Sequence, residues 1–267
     1  MEYITLNNDV KIPVLGFGTY RLDPDITVNL LLEAFNEGVR HIDTASYYKN
    51  EHLIGTALKQ SKLPREEFFI TTKCWYEDMG YDKTLAAFES SLNELGLDYV
   101  DLYLIHWPSS LTLETWRAFE TIYRSGKARA IGVCNFEIDD LETLLTQCEI
   151  IPMVNQIELH PFNTRSPLVK YCKEHKIAVE SWAPLAKGRI FENEILKSIA
   201  QKLSCTVAQL VLRWHFQKGY ITFPKASSIE RIRNNMDIFD LQISDEDMQL
   251  IDSLNEDFRV SNYPVRP

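Results

Sequence analysis

Two adjacent phenols stand in the run DTASYYKNE, residues 43–51, with a carboxylate shortly before them and a helical pattern just after. A phenol has a reference pKa of about 10 and does little acid–base chemistry near neutrality unless its surroundings intervene. An ammonium group a few ångströms away favours the phenolate, by at most about 4 kcal/mol at an effective dielectric of about 20, before desolvation is subtracted. Apolar runs elsewhere end on the residue types that could cooperate with a phenol: the second β-rich run ends at Asp43, the third at Lys73 and the fourth at His106. Taken singly, each has an ordinary explanation. Lys73 suits a solvated strand end, Asp43 a cap, and His106 a core histidine beside Trp107. Taken together they equip the protonation of a carbonyl oxygen while hydride arrives at its carbon. Lys73 tunes a phenol, Asp43 holds Lys73 protonated and aimed, and His106 donates to, or orients, the oxygen.

Such residues need elements to aim them. Eight short β-rich runs recur, at 14–18, 39–43, 67–73, 99–106, 128–133, 153–158, 177–182 and 220–224. Helix-period segments separate most of them, at 25–37, 50–60, 82–95, 112–125, 137–147, 166–175, 206–217 and 228–237, in steps the size of a βα unit. Residues 193–203 and 245–254 form two extra helices, the second capped by Ser244 with Asp247 three residues on. Asn50 reads as the N-cap of the helix after the phenols. Eight alternations fit an open doubly wound sheet or a closed (β/α)8 TIM barrel; the regular spacing and the count favour the barrel, in which strand C-termini form the active face. The opening piece YITLNNDVKIP reads as a hairpin able to cover the barrel base.

With 267 residues, 45% of them apolar and 25% charged, the chain has the make-up of one globular domain, 1–267, without a visible linker. A net charge of -10 argues against general affinity for nucleic acid or anionic membrane. Five scattered cysteines without a C-x-x-C pair indicate neither a disulfide framework nor a metal site, and fit a reducing cytoplasm. The start of the chain lacks the pattern of an export signal, and no run of eighteen apolar residues occurs.

The blocks GFGTYRLD, HIDTASYYKNE, ITTKCW, LYLIHWP, GVCNF, NQIELHP, SWAPLAKG and TFPKASSIERIRNN, in this order along essentially the entire chain, resemble the signature blocks of the aldo-keto reductase superfamily. The resemblance is greatest to the short bacterial branch that includes the 2,5-diketo-gluconate reductases. It implies a (β/α)8 barrel that binds NADPH in an extended pose at the strand C-termini, without a Rossmann domain. It also separates the two phenols. The family's catalytic tyrosine stands five residues after the aspartate and directly before x-N-E, which makes it Tyr48, with Tyr47 a packing neighbour or pocket wall. Asp43, Lys73 and His106 complete the family's tetrad.

The resemblance implies cofactor contacts one position at a time. Gly18 and Thr19 match the turn near the nicotinamide ribose, beside Asp43 and Thr44. Asn135 and Gln156 match the side chains that hold the carboxamide, and Trp182 the ring on which the nicotinamide stacks, with Pro184 and Leu185 following it. Cys134 departs from the usual serine; a thiol is the weaker hydrogen-bond partner, which implies looser or backbone contact there. Lys225 and Arg231 match the residues that meet the adenosine 2′-phosphate, with Ala226, Ser227 and Ser228 alongside and Asn235 at the adenine. Ser227 followed by Glu230 reads as a capping box, and a helix start flanked by two cations is a good anion site. Ala226 for serine and Asn234 for glutamate imply reduced phosphate selectivity.

Brief connections in HWPSSL and AKGRI and a short tail, FRVSNYPVRP, suggest an open pocket bounded by Tyr20, Trp75, Trp107 and Tyr47. Small aldehydes, 2-oxoaldehydes and keto-sugars fit it better than bulky steroids. The expected working unit is a monomer with a small carbonyl substrate and no metal. Two other classes stay open: a non-catalytic dinucleotide-binding regulator on the same barrel, and a hydrolase using Asp43 and Glu158 as paired carboxylates.

Overall fold

The computed structural model describes residues 2–261. It opens with an antiparallel hairpin, β1 (Tyr3–Thr5) and β2 (Lys11–Pro13). Eight parallel strands follow: β3 (Phe17–Gly18), β4 (His41–Asp43), β5 (Phe69–Cys74), β6 (Val100–Ile105), β7 (Ala128–Cys134), β8 (Val154–Glu158), β9 (Ala178–Trp182) and β10 (Ile221–Thr222). Each pairs with the next in chain order, from β3 to β10. The ends then meet. Leu15 bridges Thr222 in parallel, Gly16 N–H donates to the Thr222 carbonyl at 2.7 Å, and Thr222 N–H donates to the Val14 carbonyl at 2.8 Å. A closed barrel, not an open doubly wound sheet, is the result.

The seam strands are shorter than the runs 14–18 and 220–224 from which they were expected. Pro224 has no N–H to extend the ladder, and only its carbonyl reaches across, accepting from Gly18 N–H at 3.4 Å. Every residue of β5 and β6 is buried, as a strand covered on both faces requires.

The helices are α1 (Pro24–Asn36), α2 (Glu51–Ser61), α3 (Tyr81–Leu95), α4 (Thr112–Arg124), α5 (Ile138–Leu145), α6 (Ser166–Glu174), α7 (Glu194–Lys202), α8 (Val207–Gln217), α9 (Ile229–Met236) and α10 (Asp245–Asp252). α7 and α10 are the two extra helices. Ser244 caps α10 by accepting from Asp247 N–H, as its position predicted. Between helices and barrel lies the main apolar core, which includes Phe35, Phe88, Trp116 and Phe119.

The hairpin covers the barrel base through its polar turn. Asn7 Nδ2 donates to the carbonyls of Pro152 (3.1 Å) and Lys176 (3.2 Å), and Asn8 Nδ2 to that of Arg129 (2.9 Å). Those carbonyls lie where β7, β8 and β9 begin. The opposite face, where the strands end, is left for ligands. Among the described residues no single helix is long and apolar enough to cross a membrane, and no cluster of His, Cys, Asp and Glu could hold a metal ion.

Candidate active site

The two phenols lie on a short 3-10 turn, Ser46–Tyr48, between β4 and α2. Lys49 takes the left-handed conformation (φ 56°) and turns the chain into the helix. Ser46 Oγ ties the turn to β5 by donating to the Lys73 carbonyl at 3.1 Å. Asn50 occupies the cap position of α2, but its side chain does not cap. Its Oδ1 accepts from Thr44 Oγ1 at 2.8 Å and its Nδ2 donates to the Thr19 carbonyl at 3.0 Å, knotting the ends of β3 and β4 to the turn. Glu51, also buried, accepts from Thr72 at 2.5 Å and Ser91 at 3.3 Å. Asn50 and Glu51 therefore hold the tyrosine turn by bonds to other elements, where local capping was expected of Asn50.

From β5, Lys73 reaches the interior with no exposed surface. Its Nζ donates to both oxygens of Asp43 at 2.7 Å, to the Thr44 carbonyl at 2.9 Å and to Tyr48 Oη at 3.4 Å. Burial opposes the ammonium, yet Asp43 and its other neighbours outweigh burial and hold Lys73 above its ordinary pKa. Tyr48 departs from expectation. Burial is the largest influence on it and raises it; Lys73 pulls the other way without prevailing, so the phenol stands above its ordinary value. The reason is geometric: the ammonium spends its short contacts on Asp43 and leaves the phenol the longest one. Tyr48 is thus a protonated donor near neutrality, not a ready phenolate.

His106 directly follows β6, with its ring 5.8 Å from that of Tyr48 and 5.0 Å from that of Trp75. Burial, then Lys73, hold it well below its ordinary value, so the imidazole is neutral. Its Nδ1 is buried without a protein partner. Asn135 follows β7 in the left-handed conformation (φ 61°), which asparagine tolerates better than most residues. Its amide donates to the His106 carbonyl at 3.1 Å and accepts from Trp182 Nε1 at 2.8 Å, fixing the indole. Gln156 donates to Asp43 Oδ2 at 2.9 Å and to Glu180 Oε2 at 2.8 Å.

A cleft of about 670 Å³ opens over these groups. Tyr20, Tyr47, Trp75 and Trp107 wall it near Tyr48, and Tyr47 stacks on Trp75 with ring centroids 3.9 Å apart. Trp182, Pro184 and Leu185 line it further along, and Lys225, Arg231 and Asn235 stand at a cationic end. There Ser228, not Ser227, caps α9, its Oγ accepting from Arg231 N–H at 3.4 Å. Ser227 Oγ instead meets the Arg231 guanidinium at 3.5 Å. Lys225 Nζ donates to the Arg21 carbonyl at 2.5 Å; partial burial and the Arg21 guanidinium hold this ammonium below its ordinary value. Among the described residues, Arg21, Lys225 and Arg231 have no carboxylate partner.

The Aldo/keto reductase family profile matches residues 14–256. The chain belongs to this family. A glyoxal reductase of Bacillus subtilis is 49% identical over 265 residues, covering 98% of this chain and 96% of its own. Among solved structures, an aldo/keto reductase from Brucella melitensis matches with a TM-score of 0.92 and 45% identity over 95% of this chain and 99% of its own. An aldo-keto reductase of Bombyx mori in complex with NADP matches with a TM-score of 0.94 and 34% identity, over 98% of this chain and 95% of its own.

Within this aldo-keto reductase the motif positions do not all reach the cleft. Gly18 does, and its missing Cβ matters, since one would lie 2.8 Å from the Phe223 carbonyl across the seam. Thr19, Thr44, Cys134, Ala226, Ser227 and Ser228 are not on its wall; the first four are buried, and Thr19 Oγ1 donates to the Asp43 carbonyl at 2.9 Å. The brief connection after β9 and the short tail, expected to leave the pocket open, also supply part of its wall. Lys187, Gly188 and Phe191 line the cleft after β9, as does Ser261 of the tail, whose last residues, 262–267, lie outside the described residues. Lys187 Nζ donates to the Val260 carbonyl at 3.0 Å, joining the two segments. The paired-carboxylate reading loses its second member: Glu158 accepts from Val260 N–H at 2.6 Å and meets His160 at 3.1 Å, anchoring the tail.

Proposed function

We propose that this reductase reduces small aldehydes and 2-oxoaldehydes to alcohols with NADPH, Tyr48 acting as the general acid. One observation carries the reading: the Tyr48 hydroxyl, backed by the buried Lys73–Asp43 pair and beside neutral His106, opens into a cleft that continues past Trp182 to unpaired cations. The donor set fits the cofactor. A flat indole, pinned by Asn135, offers a stacking face for a nicotinamide, and Gln156 keeps its carbonyl oxygen for a carboxamide N–H. Lys225 and Arg231 at the start of α9 suit a 2′-phosphate, which would relieve the repulsion between Lys225 and Arg21.

The bound dinucleotide would supply hydride to the carbonyl carbon. The chain's own residues handle the proton. Tyr48 donates it to the developing alkoxide, a much stronger base than a phenolate, so a raised phenol pKa does not prevent transfer. Lys73, 3.4 Å away and held charged by Asp43, stabilises the phenolate left behind. Neutral His106 orients the carbonyl oxygen. The aromatic walls exclude water, and the glyoxal reductase relative supports a small 2-oxoaldehyde as substrate.

The reading takes the chain as one domain acting as a monomer in a reducing cytoplasm. All proposed groups come from a single chain, and its five cysteines are free. Loss of NADPH absorbance with glyoxal and methylglyoxal, and little with steroid ketones, is the expected result; no turnover across these and keto-sugars would refute it. Lys225→Ala should weaken NADPH about tenfold while changing NADH less than about threefold. Fluorescence titration with each dinucleotide measures this, and equal losses would remove Lys225 from the phosphate site.

A further inference from the structure

Beneath the Asp43–Lys73 pair lies a second buried polar layer that the proposed reaction does not use. β4 carries His41 two residues before Asp43, so both side chains face the barrel interior. β9 brings Glu180 to meet them. All three are buried, His41 and Glu180 without exposed surface. The Gln156 amide nitrogen joins the layers, giving one N–H to Asp43 Oδ2 at 2.9 Å and the other to Glu180 Oε2 at 2.8 Å. Glu180 Oε1 is 3.5 Å from His41 Nε2 and makes no hydrogen bond. The layer is tightly packed, since a Cβ on Gly16 would come within 2.7 Å of His41 Nδ1.

A carboxyl here is expensive. It is fully desolvated, and the ammonium that could balance it is given to Asp43. An apolar side chain would fill the space at lower cost but could not accept the second Gln156 N–H. With no acceptor that N–H would be buried and unsatisfied, and the amide would be free to turn away from Asp43. We propose that Glu180 is a positioning residue for carbonyl reduction: by holding the Gln156 amide it fixes the Asp43 carboxylate, and through it the Lys73 ammonium, under Tyr48. This rests on the assignment of Tyr48 as the acid.

Glu180 also brings a titration of its own. Burial, then the charge of Asp43, push its carboxyl up to about 8 against Gln156 and Lys73. The titratable groups that face it are Asp43 and His41 from β4, Lys73 from β5 and Cys134 from β7. His41 is held down to about 3, chiefly by burial, and the Cys134 thiol is pushed well above its ordinary value, again by burial, so both are neutral around pH 8. Lys73 stays charged, and Asp43, the one of the two carboxyls that this ammonium touches, keeps the negative charge while Glu180 keeps the proton. As pH rises through about 8, Glu180 gains a negative charge. By like-charge repulsion that added charge should strengthen the hold of Tyr48 on its proton. Alcohol oxidation, in which Tyr48 must accept a proton as phenolate, should then climb less steeply with pH than it would without Glu180.

Glu180→Gln and Glu180→Leu separate the two roles, with reduction and oxidation followed by nicotinamide absorbance and folding by thermal melting. Glu180→Gln keeps an acceptor of the same size, so reductive kcat at pH 7 should stay within about threefold of the parent, while oxidation loses its inflection near pH 8. Glu180→Leu should lower kcat about tenfold with carbonyl KM within about threefold. Parental kcat in a folded Glu180→Leu overturns the proposal. Should that variant not fold, Glu180→Ala, which removes the acceptor and adds no bulk, takes its place, and its parental kcat overturns the proposal in the same way. A parallel Tyr48→Phe keeps the two claims apart: if it turns over normally the reaction assignment falls, whereas an inert Tyr48→Phe beside an unaffected Glu180→Leu removes only the role of Glu180.

Discussion

Replacing Tyr48 by phenylalanine should cut carbonyl reduction by about a hundred- to ten-thousandfold, the usual contribution of a positioned general acid. The change deletes one oxygen. The ring that packs 4.8 Å from Tyr20 and 5.8 Å from His106 remains, so the cleft keeps its shape and dinucleotide affinity should be nearly unchanged. Tyr47→Phe is the matched control. Tyr47 contributes its ring, stacked on Trp75 with 17° between planes, and a phenyl group stacks as well, so turnover should stay within about twofold. Steady-state rates and fluorescence titration of the two variants provide the comparison. Comparable losses in both would mean that the turn carrying them, not one hydroxyl, had been disturbed.

The second large effect is on folding as well as on rate. Lys73→Met leaves the Asp43 carboxylate in the interior with the Gln156 amide but no cation, and breaking a buried pair from one side costs about 3–5 kcal/mol. The stranded carboxyl then prefers to be protonated, so its folded pKa rises above the unfolded value. The penalty is therefore full at neutral pH and shrinks as pH falls toward the unfolded aspartate value of about 4. Adding Asp43→Asn should restore most of the stability, because no buried charge remains, without restoring turnover. Urea midpoints at neutral and acid pH, with NADPH consumption, test both statements. A double variant as unstable as Lys73→Met would show that packing around the methionine, not the lost pairing, sets the cost.

Much of the barrel was legible in the chain because its signals are local. Eight apolar runs at βα spacing, and caps such as Ser244, can be read within a few residues. The hairpin was legible too, since a polar Asn-Asn-Asp turn between apolar ends has few other uses. What stayed hidden depends on partners far along the chain. Asn50 looks like a cap because it stands at a helix start, yet its amide is used by Thr19, 31 residues away. Arg21 gave no sign that its carbonyl would take the Lys225 ammonium. Glu180, in a run that reads as one more strand, is bridged by Gln156 to a carboxylate contributed by β4. The phenol pKa was misjudged for a related reason. Spacing can name the ammonium beside a hydroxyl, but not how its hydrogen bonds are divided or how much water is excluded.

The seam has a consequence for biosynthesis. It joins residues 14–16 to 222, and the bond from Lys225 to Arg21 crosses the same gap, 204 residues apart in sequence. A nascent chain on the ribosome cannot form that contact until nearly all of it has emerged, and closing so long a loop is among the slower events in folding. The cationic end of the cleft thus forms only once the barrel closes, so an anion drawn to it would mark chains whose barrels are finished.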